Sequence, residues 1–261
     1  MLPHLFIFTG LSFAVIHPLL FWTTKSVTLK NTFYRFNLTL ACVTGSLVLL
    51  GLYVTHGGGH LPWKENPLLL LWWVFLMLVS ALSWNRQKVS EIWISLSTVL
   101  GIPALFQVQG VLWSSSPWLL GMSALAGLIF SASLYSGVLG HWYIEMKHLP
   151  VSHLNRVTNI FGFLLCARLL IDGVLIFTKN VLSDGDWIPL FRFTLTSEGF
   201  FLWVALLFGT VFPFVLIFFV RGTLKAGSHT SATGILYVIF ISILIGDLTY
   251  KYYWAKYGLV L

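Results

Sequence analysis

Few side chains in this sequence can do chemistry, and most of those sit inside apolar stretches. The first are Arg168 and Asp172, in Cys166-Ala167-Arg168-Leu169-Leu170-Ile171-Asp172. On a helix, positions i and i+4 share a face, so the guanidinium and the carboxylate can pair. An ionisable group in a membrane span is costly and marks a functional site by default. Pairing lowers that cost without removing it. Two roles follow for the pair: a polar site for a proton, a quinone headgroup or a haem propionate, or a structural ion pair that locks helix packing.

The second group is His17 and His141. His17 precedes Pro18, which lacks an amide hydrogen and can kink a helix. His141 ends a run of Ser133, Gly137 and His141 spaced by four, a small-residue groove through which a helix or a flat macrocycle can come close. Two neutral imidazoles on facing helices can ligate a b-type haem from both sides. A quinone needs only one imidazole and a second donor, for which Tyr143 stands ready. Neither cofactor is needed if the rings sit at the bilayer interface, as the neighbours Trp142 and Tyr143 also suggest. The expectation is that His141 packs inward beside its glycines.

The third group is His56-Gly57-Gly58-Gly59-His60. The glycines could fold both imidazoles onto one metal with Glu65 as a third ligand, or simply form a turn. Phosphate-binding loops, nucleophile elbows, HExxH and Cys-x-x-Cys are absent from the sequence. Cys42 and Cys166 both lie in apolar segments and read as packing residues.

The elements that must position these residues are membrane spans. Hydrophobic residues make up 57% of the 261 and charged residues only 9%, with mean hydropathy +0.88. A soluble domain carries roughly a quarter charged residues, so this composition cannot cover a water-facing surface. Eight segments reach the roughly twenty apolar residues that a crossing needs: 3–24, 36–55, 67–84, 91–112, 118–144, 158–178, 198–220 and 230–250. The expected fold is all-α: a polytopic integral membrane protein, one domain over residues 1–261, with antiparallel neighbours. The first segment reads as a retained helix, since no basic n-region precedes it. The spans also divide four and four. His17 and His141 are 124 residues apart, as are Cys42 and Cys166, which suggests an internal repeat.

The formal charge of +7 arises from short loops without a basic run, so it indicates topology and not nucleic acid. Nine basic residues fall in the odd-numbered loops and five on the other side: Lys64, Lys179, Arg192, Lys251 and Lys256. The odd loops are therefore expected in the cytoplasm and both termini outside it. Residues 179–197 read as an external connector with a turn at Asp184-Gly185-Asp186 and interfacial Trp187, Phe191 and Phe193. Gln107, Gln109 and Asp247 are expected near the outer ends of their helices, either lining an external cavity or hydrated.

Three functions fit. The first is a membrane subunit of a multi-subunit electron-transfer complex of respiratory type, anchoring or scaffolding other subunits, with a haem b or quinone site. The second is a transporter of a small solute or ion. The third is a cofactor-free accessory or assembly protein. Each places the chain in a lipid bilayer, with a bacterial inner membrane as the expected location.

Overall fold

The computed structural model describes residues 1–24, 29, 31–55, 66–84, 90–146, 149–183 and 185–261. The candidate metal ligands His56, His60 and Glu65 lie outside the described residues. So do Lys25, Lys30, Lys64, Arg86, Lys88, Lys147 and Asp184.

Among the described residues, eight helices are long and apolar enough to cross a membrane. They are α1 (Leu2–Ile16, continued by a 3₁₀ segment His17–Thr23), α2 (Asn31–Thr55), α3 (Pro67–Trp84), α4 (Glu91–Leu112), α5 (Pro117–Glu145), α6 (Ser152–Thr178), α7 (Phe201–Lys225) and α8 (His229–Tyr257). The chain is an all-α polytopic bundle and an integral membrane protein. In lipid each backbone amide must bond within its own segment, which is why uninterrupted helices of this length form. Several spans run past the limits expected from hydropathy. The helix of α6 begins at Ser152 and that of α8 continues to Tyr257, because helical hydrogen bonding extends into the interfacial zone beyond the apolar run.

Two spans form the centre. In α1 and α5 the most apolar stretch is 78% and 72% buried inside the protein, against 33–44% in the other six. Around them pack α2, α3 and α4 on one side and α6, α7 and α8 on the other. The outward faces carry large apolar residues such as Leu47, Leu82, Phe163 and Phe177, as lipid contact requires.

Three prolines act differently. Pro18 tightens the end of α1 into the 3₁₀ segment, where Thr23 Oγ1 donates to the Leu20 carbonyl at 2.5 Å. Pro103 is accommodated within a continuous α4, not an interrupted one. In α7, Pro213 cannot donate to the turn before it, and the backbone widens into a π segment at Leu207–Val211. The Phe208 carbonyl takes a hydrogen bond from Ser242 Oγ of α8 at 2.6 Å.

Beside that π segment α7 and α8 touch backbone to backbone. A Cβ on Gly246 would fall onto the main chain of Gly209, and one on Gly209 would meet the Tyr250 ring at 2.9 Å. Gly246→Ala is therefore expected to cost about 1–3 kcal/mol through forced separation of the two helices. Thermal unfolding of the purified variant in detergent checks this; a wild-type midpoint would contradict the contact.

The connector after α6 is not a plain loop. It forms an antiparallel hairpin, β1 (Asn180–Ser183) and β2 (Asp186–Pro189), followed by a helical turn at Leu190–Phe193. Gly185, at φ +89°, makes the reversal. Trp187 is exposed as expected for an interfacial residue, but Phe193 is fully buried against Tyr253 and Tyr257 of α8.

Candidate functional site

Two buried polar clusters lie in the bundle, one toward each end. The larger joins α6 and α8. Arg168 and Asp172 sit on one face of α6 as their spacing requires. Arg168 Nε donates to Asp172 Oδ1 at 3.0 Å and to Oδ2 at 3.2 Å. Its Nη2 donates to the backbone oxygen of Leu261 at 2.5 Å, and its guanidinium lies 4.2 Å from the centre of the Tyr250 ring. The Tyr250 hydroxyl donates to Asp172 Oδ2 at 2.6 Å, so it accepts from Thr210 Oγ1 at 3.2 Å, inside the π segment.

A second ion pair lies alongside. Lys251 Nζ contacts Asp247 Oδ2, again at i, i+4, and Thr9 Oγ1 of α1 donates to the same oxygen at 3.2 Å. Asp247, Tyr250 and Lys251 share one face of α8. Arg168, Asp172, Asp247 and Lys251 are 2%, 0%, 6% and 1% exposed, so four formal charges that sum to zero are sealed inside the helix bundle. Between them lies a gap lined by Arg168, Asp247, Tyr250 and Gly209, with room for the centre of one water, about 10 Å³.

The sequence readily gives Arg168 and Asp172. It gives Asp247 only as a helix-end residue beside an external cavity or water, and Lys251 only as an external loop charge. Both assignments are corrected here, because α8 continues to Tyr257 and turns both side chains inward. Tyr250, Thr210 and Thr9 carry no sequence flag. The signal that was present is the repeated spacing: an acid and a base at i, i+4 occur in both α6 and α8. Gln109 is also corrected. It is fully buried, and its amide holds the α4–α5 turn by donating to the Ser114 and Ser116 carbonyls at 2.9 and 3.0 Å.

The smaller cluster lies where α1, α2 and α5 meet. His17 is fully buried. Asn37 Nδ2 donates to the Phe33 carbonyl at 2.9 Å, which leaves Asn37 Oδ1 to accept from His17 Nε2 at 3.0 Å. Nδ1 is then a bare acceptor with no hydrogen-bond partner among the described residues. Phe13 and Tyr135 pack at 4.5 and 5.8 Å from the ring centre. Nearby, Thr24 Oγ1 joins the hydroxyls of Tyr34 at 3.0 Å and Tyr135 at 2.7 Å.

The pairing of His17 with His141 that a shared haem would need does not occur. His141 does not pack inward; its side chain is 52% exposed and lies 3.7 Å from Glu145. The small-residue stripe faces α8 instead, with Gly137 against Tyr237 and Gly140 against Thr233. One imidazole has its Nε2 committed to Asn37 and the other points outward, so the residues present do not fit a haem ligated by this pair. Tyr143 is buried with its hydroxyl on the Pro150 carbonyl, which removes it as a free quinone donor. Positions offset by 124 residues thus occupy different environments. Among the described residues no three metal-ligating side chains come together, and both cysteines are free thiols.

No known protein family matches the chain, and no curated protein or solved structure matches it either.

Proposed function

We propose that this protein moves protons through the bilayer interior, with the Arg168–Asp172–Tyr250–Thr210 and Asp247–Lys251–Thr9 network as the exchanging site. The observation that carries this reading is four buried charges in two adjoining pairs, each with its own hydroxyl partners and with a one-water gap between them. Buried ionisable groups of this kind mark proton relays and ion pathways in membrane proteins. Every member can give or take a proton except Arg168, which stays charged and fixes the local field.

A second polar cluster lies on the same central helix. On α1, His17 lies eight residues from Thr9, about 12 Å along the axis. The two polar clusters thus lie on one central helix, toward opposite membrane faces. The stretch between them is largely apolar. In this reading the odd loops face the cytoplasm and both termini face outward. Burying Lys251 inside the bundle takes one basic residue from the outer loops and strengthens that bias.

Infrared spectroscopy in light and heavy water tests the exchange. The expected result is a buried carboxyl or carboxylate band that shifts on transfer to heavy water and is lost in Asp247→Asn. A set of bands insensitive to both changes would leave the network a structural lock.

The electron-transfer reading survives in one form, a membrane subunit that supports partner subunits and admits a quinone from the lipid. What favours it is a cavity of about 370 Å³ between α3 and α4, lined by Phe75, Leu82 and Trp93 with the Ser83 and Ser90 side chains. Neither His17 nor Tyr143 lines it. Solvent extraction of the purified native protein, followed by quinone analysis, decides that point.

A further inference from the structure

A cavity of about 480 Å³ opens where the start of α1, the start of α7 and the end of α8 meet, at the end of the bundle that holds both chain ends. That volume is in the range of small-molecule sites. Its walls differ in chemistry. Leu2, Leu5, Phe201 and Leu248 form the apolar wall, and Ser197, Glu198, Tyr252, Lys256 and Tyr257 the polar one.

The polar wall carries one anion and one cation, held apart. Tyr253 fixes the Glu198 backbone by donating to its carbonyl at 2.6 Å, and Tyr257 donates to Glu198 Oε2 at 2.9 Å. Glu198 Oε1 faces Lys256 Nζ at 3.8 Å, beyond hydrogen-bond reach. Lys256 lies over the Tyr257 ring at 4.8 Å and near that of Tyr252 at 5.9 Å. Both charged side chains are more than 40% exposed, so their mutual attraction is weak and yields easily to a better partner.

We infer that this cavity binds the headgroup of a zwitterionic phospholipid. The lipid phosphate meets Lys256, and its ammonium meets Glu198 Oε1 and the tyrosine faces, where a cation is favoured. The glycerol and upper acyl chains lie on Leu5, Phe201 and Leu248. A net-neutral wall fits a headgroup carrying both charges. An anionic lipid would take Lys256 with its phosphate and leave Glu198 without a cation. The apolar wall selects a lipid over the free headgroup. This site is separate from the proton network and stands whether or not protons move.

Native mass spectrometry of the full chain in detergent tests it, with phosphatidylethanolamine and phosphatidylglycerol of identical acyl chains at equal concentration. The expected result is one phosphatidylethanolamine bound with a preference of about fivefold, the effect of one exposed charge pair. Glu198→Gln should abolish the preference, and Lys256→Gln should weaken both lipids. Both side chains are exposed, so neither change should disturb the fold, and unaltered thermal unfolding verifies that. Equal binding of the two lipids by the wild type, or a preference that survives Glu198→Gln, would overturn the inference. So would equal competition by soluble glycerophosphoethanolamine, which lacks acyl chains.

Discussion

Replacing Asp172 with Leu should destabilise the protein by about 3–5 kcal/mol, because it strands the buried Arg168 guanidinium. Arg168 would keep the Leu261 backbone oxygen and the face of the Tyr250 ring. Tyr250 would lose the acceptor of its hydroxyl. The companion variant Arg168→Met/Asp172→Leu removes both charges and should recover most of that loss, since two apolar residues of similar volume suit the interior. The difference between single and double variants is the informative quantity. Thermal unfolding of all three forms in one detergent measures it. Equal loss in the single and double variants would mean that the ion pair contributes no coupling.

The second large effect is on transport. Asp247→Asn should reduce proton flux by at least about tenfold, the rate loss from raising a barrier by about 1.4 kcal/mol. Asparagine keeps the shape and can still accept from Thr9, but it cannot bind and release a proton. Lys251→Met should impair flux as strongly by removing the partner that shares the Asp247 oxygen. Tyr250→Phe cuts the hydroxyl link between Asp172 and Thr210 and should reduce flux less, since the second pair remains. Arg168→Lys keeps the charge but loses the forked geometry, so it should cost stability more than flux. Flux in reconstituted vesicles, corrected for protein incorporation, ranks the variants.

Much of the fold could be read from the sequence because one property sets it. Each span must be apolar over its length, and eight such runs are plain. The α6 pair was legible for the same reason, since Arg168 and Asp172 interrupt an apolar run at a spacing that shares a face. The α8 pair was missed because Asp247 and Lys251 stand close to the end of the apolar run, where charges usually meet water. Only the path of the helix past Tyr250 turns them inward. The histidines failed in another way. Their helices were legible, but not the direction of their side chains. In helices that are apolar all round, periodicity gives no contrast between the inner and outer faces. Gly140 marks a close approach, but the partner is α8 and not α1, which sequence spacing cannot specify. The π segment needed Pro213 and the Gly209–Gly246 contact together, and those come from two different helices.

The most direct measurement is proton flux into vesicles that contain the purified wild-type protein and a trapped pH-sensitive dye. A potassium gradient with valinomycin sets the membrane potential. The account predicts dye acidification well above that of protein-free vesicles, following the imposed potential and lost in Asp247→Asn. A wild-type rate equal to that of protein-free vesicles, with the protein folded and inserted, would contradict it.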